Sequence, residues 1–395
     1  MSLTPAPAPA PAAVPFLEDV ADDDALAALA PEWDHLLAGS AVASPFLTWA
    51  WVGAWRQTLG AGHTLAVVAA RHPGDGSLLG LAPFAVEERR APGGLRYRAL
   101  VFLGSGPAAP DHLDLMVLRG WEATVAAPLW GAVLRRTRPD LADLDGLRSG
   151  GLLEALTLRR RADRRRFAEP IPCPYLPLPS TWEEYEAGLG RNLRQNLRRY
   201  ARRLEEEAPG PVTRRLVVRP EEVDPTLDDL ARLHQQVRSA RGQAGAFRSP
   251  DLNAFHHLAA HRFLEAGRLR LHRLDVGGTA VAVIYCVRQG DVVSFYTTGY
   301  DSAYSRFGPG RALMAHAIGA AIAEGATEFD FLRGDETYKD QWGTHLRHDR
   351  RVILPTGARG RLLLGGRKLL RPLRLTATAL RRRGQPANRD DSAAA

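Results

Sequence analysis

The sequence predicts an α+β (α/β) protein made of two successive units, each a mixed, mainly antiparallel twisted sheet flanked by helices. At 395 residues, the chain is long enough for about two domains. A charged and then proline-rich run, LRRRADRRRFAEPIPCPYLPLP, divides it near residues 158–175. On both sides of this run the predicted elements follow one order of helices, antiparallel strands, a helix and a strand. This order suggests an internal duplication.

In the first half, apolar residues with helical spacing predict helices over 22–38 and 48–59. Four apolar runs then predict strands: TLAVVAAR, SLLGLAPFAVEE, LRYRALVFLG and HLDLMVLR. Asp75-Gly76 between the first two is typical of a hairpin turn. A helix over 121–136, the short strand LADLDGL and a helix over 150–159 complete this half.

The second half begins with a long helix over 181–207, on which Arg191, Arg194 and Arg198 share one face. A strand VTRRLVV and helices over 225–240 and 250–266 follow. The remaining predicted elements are three strands with tight turns, RLRLHRLD, TAVAVIYCVR and DVVSFYTTGY, then a helix over 311–324 and the strands TEFDFL and RRVIL.

Composition then predicts the domain boundaries and the compartment. We expect a disordered Pro/Ala tail over 1–15, an N-terminal unit over 16–160, a linker over 161–175, a C-terminal unit over 176–356 and a basic Leu/Arg-rich tail over 357–395. The first residues lack the basic and apolar regions of a targeting segment, and no run of 18 apolar residues predicts a membrane span. Two cysteines far apart in the sequence fit a reducing cytoplasm.

The net charge of +8 is concentrated in the basic tail. Residues 359–383 hold nine basic and no acidic residues, interleaved with leucines. This pattern fits either a solvated tail docked by its leucines or a peripheral contact with an anionic membrane surface. No RNA-binding signature with interleaved aromatic residues is present, so nucleic acid is not expected as a main partner.

A candidate ligand loop lies inside a predicted strand–helix–strand crossover over 291–332. A crossover of this size makes its two strands parallel. Gly308-Pro309-Gly310 comes just before the helix, and Arg306 and Arg311 flank it. Glycines let the backbone approach a ligand, and N–H groups at a helix N-terminus favour phosphate oxygens. The pattern predicts a diphosphate-binding loop, with a purely structural turn as the alternative.

The stretch FDFLRGDETYKDQWG, residues 329–343, combines a buried strand with a cluster of charges. Asp330, Asp335 and Glu336 are candidate bases near the C-terminal end of this strand, where α/β proteins tend to bind ligands. Tyr338 is a candidate proton donor, or a ring packed over the strand ends. Lys339 is one of only two lysines in a chain with 52 Lys+Arg, and it would hold an anionic group or neutralise a neighbouring carboxylate.

The order of elements and several motifs resemble the GNAT superfamily of N-acetyltransferases, in particular the branch with cellulose-biosynthesis acetyltransferase-like and BioF2-like domains. The resemblance covers roughly residues 181–354. Its motifs are His234-Gln235 with Arg241-Gly242 and Gly245-Ala246-Phe247, then Gly299-Tyr300-Asp301, Pro309-Gly310, Phe329-Asp330-Phe331, Gly334, Tyr338-Lys339 and Trp342. It implies tandem GNAT-like units, the second holding the active site and the first degenerate or supporting.

The resemblance implies an acyl-CoA-dependent N-acyltransferase, in the first place an N-acetyltransferase, acting on an amino group of a sugar, a polysaccharide precursor or a small metabolite. Acetyl-CoA or another acyl-CoA would be the co-substrate, and no metal is expected. In such enzymes the loop before the helix grips the CoA diphosphate, and two parallel strands splay to admit the pantetheine arm. The residues implied are Asp335, Glu336, Tyr338, Lys339 and Asp330 for catalysis, Arg306, Gly308, Gly310 and Arg311 for CoA, and Arg241, Tyr300, Asp301 and Trp342 for the substrate.

Two other functions stay open. The same architecture resembles the Fem-type transferases, whose acyl donor is an aminoacyl-tRNA, and the arginine face of 191–198 would then contact that RNA. A non-catalytic assembly protein at a membrane-associated biosynthetic complex would use the basic tail instead.

Two groups of histidines and aspartates are expected to be structural. His256, His257 and His261 share a helix but form no recognised metal-binding pattern. Asp111-His112 with Asp114 would be a relic of a second site, although packing or loop capping is favoured.

Overall fold

The computed structural model describes residues 14–158, 167–240, 247 and 249–365, and it confirms the α+β fold class. The helices in these ranges are α1 (Asp23–Ala28), α2 (Ala30–Gly39), α3 (Trp49–Gln57), α4 (Glu122–Thr137), α5 (Leu152–Leu158), α6 (Trp182–Gly188), α7 (Arg191–Glu207), α8 (Val223–Ala240), α9 (Pro250–Glu265), α10 (Pro309–Ala323) and α11 (Thr337–Asp340). The strands of the first half are β1 (Phe16–Val20), β2 (Thr64–Leu65), β3 (Val67–Arg71), β4 (Leu78–Ala82), β5 (Phe84–Arg90), β6 (Arg96–Phe102), β7 (Met116–Val117) and β8 (Leu141–Leu147). Those that follow are β9 (Phe167–Pro177), β10 (Val212–Leu216), β11 (Leu269–Val276), β12 (Thr279–Gln289), β13 (Val292–Tyr300), β14 (Glu328–Asp330) and β15 (His345–Pro355).

One large mixed sheet runs through both halves of the chain. Its eleven strands are ordered β10-β11-β12-β13-β14-β9-β15-β8-β6-β5-β2, and a smaller sheet has the order β1-β3-β4-β7. The last strand of the second half, β15, pairs with β8 of the first half, which joins the two halves edge to edge. Each half contains one parallel pair, β6 with β8 and β13 with β14, with a helix in the connection. This repetition supports the suggested duplication.

The stretch expected to be a linker contains a strand. Residues 167–177 form β9 between β14 and β15, although the sequence FAEPIPCPYLP has four prolines. Pro172 and Pro174 use their carbonyls to accept from the N–H groups of Gly334 and Phe331. A proline has no N–H to donate, but its carbonyl can still accept a hydrogen bond. Prolines at alternate positions are therefore tolerated along an edge of the strand that only accepts hydrogen bonds.

The hydrophobic core lies on both faces of the large sheet. One cluster combines the first half with helices α8 and α9 of the second half, and the other packs α6, α7 and α10 on the opposite face. Trp51 of α3 shows the contact between the halves, because its ring centroid lies 4.6 Å from that of Phe255 on α9. The halves therefore share a core, in which Trp51 and Trp55 of α3 are buried.

Within the described ranges, no helix has both the length and the apolar character that a membrane span requires. Most of the Pro/Ala tail and most of the basic tail lie outside the described residues.

Candidate functional site

Gly308 sets the start of α10. Its backbone is left-handed, with φ 57° and ψ 48°, and a Cβ at this position would lie 2.7 Å from the ring of Tyr200. Both constraints require glycine. A Cβ on Gly310 would instead lie 3.4 Å from the Tyr300 ring, an ordinary contact. Of the two glycines predicted to bind the donor, only Gly308 has a backbone conformation that requires glycine.

A basic groove lies between α7 and the start of α10. It encloses about 740 Å³, and its lining residues are Gly190, Asn192, Leu193, Asn196, Arg199, Tyr200, Arg203, Ser305, Arg306, Arg311 and Gln341. We call this pocket the basic groove. Four of the lining residues are arginines and none is acidic, so the groove suits an anionic ligand. Arg311 is held by a 3.1 Å hydrogen bond from its Nη1 to the hydroxyl of Tyr200.

The predicted Arg306 and Arg311 thus meet in one groove, and two arginines of α7 that were not singled out from the sequence join them. Arg199 and Arg203 line the groove, whereas Arg191, Arg194 and Arg198 do not. Arg198 is exposed and pairs with Glu186 at 3.3 Å. Arginine recurs so often in RNLRQNLRRYARR that spacing alone does not show which helix face turns inward.

The N-terminus of α10 opens toward this groove. No side chain caps its first turn, and Pro309 occupies the first helical position. The first N–H groups of a helix have no partner within the helix, and they carry a partial positive charge. The end of α10 and the four arginines therefore form a site suited to phosphate oxygens.

The two parallel strands separate after a short ladder. The ladder between β13 and β14 has three pairs and ends at Ser294 and Asp330. From Phe295 to Tyr300, β13 continues along β12, while β14 has ended and its other edge pairs with β9. The ladder with β12 also shifts its register between Tyr285 and Cys286, which places Tyr296 in a β-bulge. The predicted splaying of the parallel pair is thus present in the strand register.

Asp330, a predicted base, is buried inside the protein. Its Oδ2 accepts from Nε2 of His112 at 2.8 Å and from Arg347 at 2.6 Å, and its Oδ1 accepts from the N–H of Leu332 at 2.8 Å. Burial works against ionisation, but the charges of His112 and Arg347 outweigh it and lower the pKa of Asp330. Both oxygens are engaged, which favours a structural role over the predicted catalytic one.

His112 belongs to the first half, yet it binds two carboxylates of the second. Its Nδ1 lies 3.0 Å from Oδ1 of Asp349, and its backbone N–H donates to Oδ2 of the same residue at 2.5 Å. Burial opposes protonation, but Asp330 and Asp349 raise the pKa of His112 to about 10. His112 is therefore a cation at neutral pH. His112 therefore has a structural role, as favoured from the sequence, and it clamps the predicted active-site strand.

Asp111 extends this clamp to the next residues of the motif. Its Oδ1 accepts from Nε of Arg333 at 2.8 Å, and its Oδ2 accepts from the backbone N–H of Arg333 at 2.9 Å. Three cations thus face three buried aspartates, namely His112, Arg333 and Arg347 against Asp111, Asp330 and Asp349. Asp114 plays the favoured capping role, because it accepts from the backbone N–H groups of Leu152 and Leu153 at the start of α5.

One cluster has the residue types of a metal site. Ligand atoms of His112, Cys173 and Asp349 lie within 4.8 Å of one another. Both nitrogens of His112 already bind carboxylates, and burial together with the charge of Asp111 raises the pKa of the Cys173 thiol. A protonated imidazole and a neutral thiol are poor ligands, so this donor set does not favour a metal.

Lys339 holds the loop after β14. Its side chain is 3% exposed, and Nζ lies 2.8 Å from Oε2 of Glu336 and 3.0 Å from the carbonyl oxygen of Arg333. The carbonyl oxygen of Gly334 lies 3.5 Å away. A compact ammonium can serve all three acceptors, whereas a planar guanidinium would be too large. Of the two predicted roles, this geometry favours neutralisation of Glu336.

The other predicted residues differ in accessibility. Asp335 is exposed in the loop, and Tyr338 is half-buried. Burial, with the charge of Glu336, raises the pKa of Tyr338, so its phenol keeps a proton that it could donate. Trp342 is 2% exposed, and its carbonyl accepts from the hydroxyl of Tyr185. Trp342 is thus a core residue, which does not favour the predicted contact with substrate.

Three more residues were predicted to bind the substrate, namely Arg241, Tyr300 and Asp301. Tyr300 is half-buried beside Gly310, and Asp301 accepts from the N–H of Ala303 and caps the short helix that follows. Arg241 lies outside the described residues. The half-buried His257 and His261 both contact Oδ1 of Asp224, at 2.8 and 2.9 Å, which fits the expected structural or solvated role.

Comparisons with known proteins agree with this geometry. Residues 191–340 match the model of the acetyltransferase (GNAT) domain, and no curated protein matches the chain. The solved structure of FemX superposes with a TM-score of 0.57 at 13% identity, over 82% of this chain and 96% of that one. The C-terminal domain of a putative lysylphosphatidylglycerol synthetase from Agrobacterium fabrum gives 0.51 at 13% identity, over 87% and 97%. L-PGS from Bacillus licheniformis gives 0.50 at 10% identity, over 85% and 96%.

At these identities the solved structures establish a common fold and nothing finer. The family match indicates acyl transfer as the reaction. It covers α7, nearly all of the basic groove, the splayed strands and most of the motif after β14. Residues 191–340 thus resemble an acetyltransferase (GNAT) domain, on a fold that the chain shares with FemX, and the prediction of an acyltransferase enzyme is confirmed.

Proposed function

We propose that the protein is an acyl-CoA-dependent N-acyltransferase, in the first place an N-acetyltransferase, of the cellulose-biosynthesis acetyltransferase-like and BioF2-like branch. Its acceptor would be an amino group on a sugar, a polysaccharide precursor or a small metabolite. One observation carries the proposal: the uncapped start of α10 at Gly308 opens into the basic groove next to the splayed strands.

The groove and the splayed strands together suit a ligand with an anionic end and a long, thin arm. The diphosphate of CoA would lie at the start of α10, near Arg306 and Arg311. A strand rises about 3.3 Å per residue, so the open edge of β13 from Tyr300 back to Ser294 is about 20 Å long. An extended pantetheine arm along this edge would bring the thioester to the end of the β13–β14 ladder.

Acyl transfer at that point needs proton transfer and charge stabilisation. The amine nitrogen attacks the thioester carbonyl, the C–S bond breaks, and the sulfur leaves as a thiolate that takes a proton. Asp335 is the candidate to accept the proton that the amine loses, because it is exposed where Asp330 is not. A phenol would protonate the thiolate, and Tyr338 is the candidate that the motif supplies. Lys339 holds the loop that carries Asp335.

Transfer from an aminoacyl-tRNA is the second candidate function. It is favoured by the common fold with FemX and by the row of arginines on α7, two of which reach the basic groove. The exposed Arg191 and Arg198, with the half-buried Arg194 between them, would then continue the same positive surface beyond the groove. In this case the phosphates in the groove would belong to an RNA acceptor end.

The two donors can be separated by one set of measurements on the full chain. Acetyl-CoA with a panel of amines, including glucosamine, should release free thiol and give an acetylated product by mass spectrometry. Aminoacyl-tRNA with the same panel should give none. The reverse result would establish the second function, and its binding should weaken steeply with salt because many phosphates are neutralised.

Contact with a membrane-associated complex stays a prediction for the basic tail, as does a cytoplasmic location. Sedimentation with vesicles of anionic phospholipid, using the full chain and a chain ending at residue 356, would test it. Equal binding by both would remove the role of the tail.

A further inference from the structure

Tyr296 occupies a special position on β13. It is the extra residue of the β-bulge, and it lies two positions after Ser294, where the ladder with β14 ends. A bulge re-aims the side chain that it carries, and bulges are common next to active sites. Tyr296 is half-buried, whereas Phe295 before it belongs to the core on the other sheet face. In the proposed binding mode the thioester would arrive at the end of this ladder, next to Tyr296 in the strand.

The hydroxyl of Tyr296 belongs to a small polar network that joins the two halves. It donates to the carbonyl oxygen of Ala108 at 2.8 Å and lies 3.4 Å from Nε2 of His256. Ala108 is in the same loop as Asp111, whose charge raises the pKa of Tyr296 together with burial. The phenol therefore stays protonated at neutral pH.

His256 lies behind this phenol and is not explained by packing alone. It is 2% exposed, and its Nδ1 has no hydrogen-bond partner within the described residues. Burial and the charge of His257 lower its pKa to about 3, so the ring is neutral. Phe247, the last residue of the His234-Gln235 motif, packs on it with ring centroids 5.4 Å apart. A buried imidazole with an unsatisfied nitrogen costs stability, and such groups are often kept for function.

We propose that Tyr296 is a catalytic acid–base residue of the acyl transfer and that His256 is its positioning residue. This inference rests on the proposed acyl-CoA donor. The phenol of Tyr296, in place of Tyr338, would give its proton to the sulfur as the C–S bond breaks. The phenolate, in place of Asp335, would then take the proton that the acylated nitrogen loses. The products are an amide and the thiol of CoA, and the phenol is regenerated.

His256 would support this cycle without touching the substrate. In the tautomer with the proton on Nε2, His256 would donate to the phenolic oxygen and stabilise the phenolate that forms transiently. Charge-assisted hydrogen bonds of this kind are stronger than neutral ones. The histidine therefore acts on the rate of proton transfer and not on donor binding.

Tyr296→Phe tests the proposal, because it removes the hydroxyl and keeps the ring. Thiol release from acetyl-CoA with the amine panel should fall about 100-fold in kcat, with KM for acetyl-CoA changed less than about 2-fold. Tyr285→Phe is the matched control, since this buried neighbour on β12 has a hydroxyl without a hydrogen-bond partner in the described chain. It should keep wild-type activity.

Two further variants test the mechanism even where Tyr296→Phe folds poorly. Fluorotyrosine at position 296 has a more acidic phenol and should move the alkaline limb of the pH–rate profile to lower pH. His256→Gln should lower kcat about 10-fold and change the same profile, which a merely structural role would not do.

The outcomes separate this inference from the proposed function. An active wild type with an unchanged Tyr296→Phe, or with an unmoved profile for fluorotyrosine, overturns the role of Tyr296 alone. The same holds if Tyr338→Phe abolishes turnover while Tyr296→Phe does not. A wild type that releases no thiol with any amine overturns the proposed acyl-CoA function and this inference with it.

Discussion

His112 and Asp330 are joined by a 2.8 Å hydrogen bond between Nε2 and Oδ2, although 218 positions separate them in the sequence. One residue comes from a loop of the first half and the other ends the strand β14 of the proposed active site. The first half thus holds the strand and the loop that follows it, through His112 and Asp111. The first half therefore holds the strand and the loop of the proposed active site in position.

Removal of His112 should be strongly destabilising. His112→Ala leaves Asp330 and Asp349 buried with one cation fewer, and breaking a buried charge pair in this way costs about 3–5 kcal/mol. Urea unfolding of the full chain measures the effect. His35→Ala, at an exposed position of α2, is the control and should change the unfolding free energy by less than about 0.5 kcal/mol. Equal stability of the two variants would contradict the clamp.

The clamp should also make stability depend on pH on the alkaline side. The pKa of His112 is raised from 6.5 to about 10, so its contribution is fully present below 6.5 and is lost as pH rises through about 10. Unfolding curves of the wild type and of His112→Ala, taken from pH 6 to 10.5, isolate this residue by their difference. The difference should shrink as pH rises. A constant difference would show that His112 is not charged in the folded protein.

Gly308 and Gly310 should respond differently to alanine. Gly308→Ala forces a left-handed residue, at about 1–2 kcal/mol, and pushes on the ring of Tyr200, so it should weaken acetyl-CoA binding and stability together. Gly310→Ala meets only an ordinary contact with Tyr300 and should be tolerated. Calorimetry and thermal unfolding of the two variants give the comparison. If Gly310→Ala were the more damaging change, the helix start would bind its ligand differently.

Lys339→Arg should lower activity although the charge is kept. The larger guanidinium must leave the site between Glu336 and the carbonyl of Arg333, which displaces the loop that carries Asp335. We expect at least a 10-fold loss in kcat and a loss of about 1–3 kcal/mol in stability. Lys368→Arg changes the only other lysine and should be neutral. Wild-type kinetics in Lys339→Arg would make the rare lysine incidental.

The sequence predicted the fold class well because local patterns carry it. Glycine is the residue that best tolerates a positive φ, so a glycine in the sequence marks a turn. This holds for the hairpin turns at Asp75-Gly76 and Gly277-Gly278 and for Gly308 before α10. Gly308 and the arginines 306 and 311 could be located for the same reason. The sequence did not single out Arg199 and Arg203 on α7, since the face of α7 that lines the groove depends on packing against α10.

Contacts between the halves could not be predicted in this way. Asp111 and His112 lie in a loop, and only the joined sheet brings them to Asp330 and Arg333. The strand β9 was not predicted because prolines disfavour a strand. Its pairing depends on hydrogen bonds that the N–H groups of Gly334 and Phe331 donate to proline carbonyls, and these contacts cannot be read from the sequence. Asp330 and Trp342 looked functional in a charged motif, yet tertiary packing buries both.

The central claim is that the donor is an acyl-CoA held in the basic groove, and calorimetric titration with acetyl-CoA tests it most directly. Arg311→Ala removes a groove arginine and should weaken binding about 10-fold, the loss of roughly one charge-assisted hydrogen bond. Arg198→Ala changes an exposed arginine of α7 outside the groove and should leave binding unchanged. No heat from the wild type at millimolar acetyl-CoA, or equal losses in the two variants, would contradict the account.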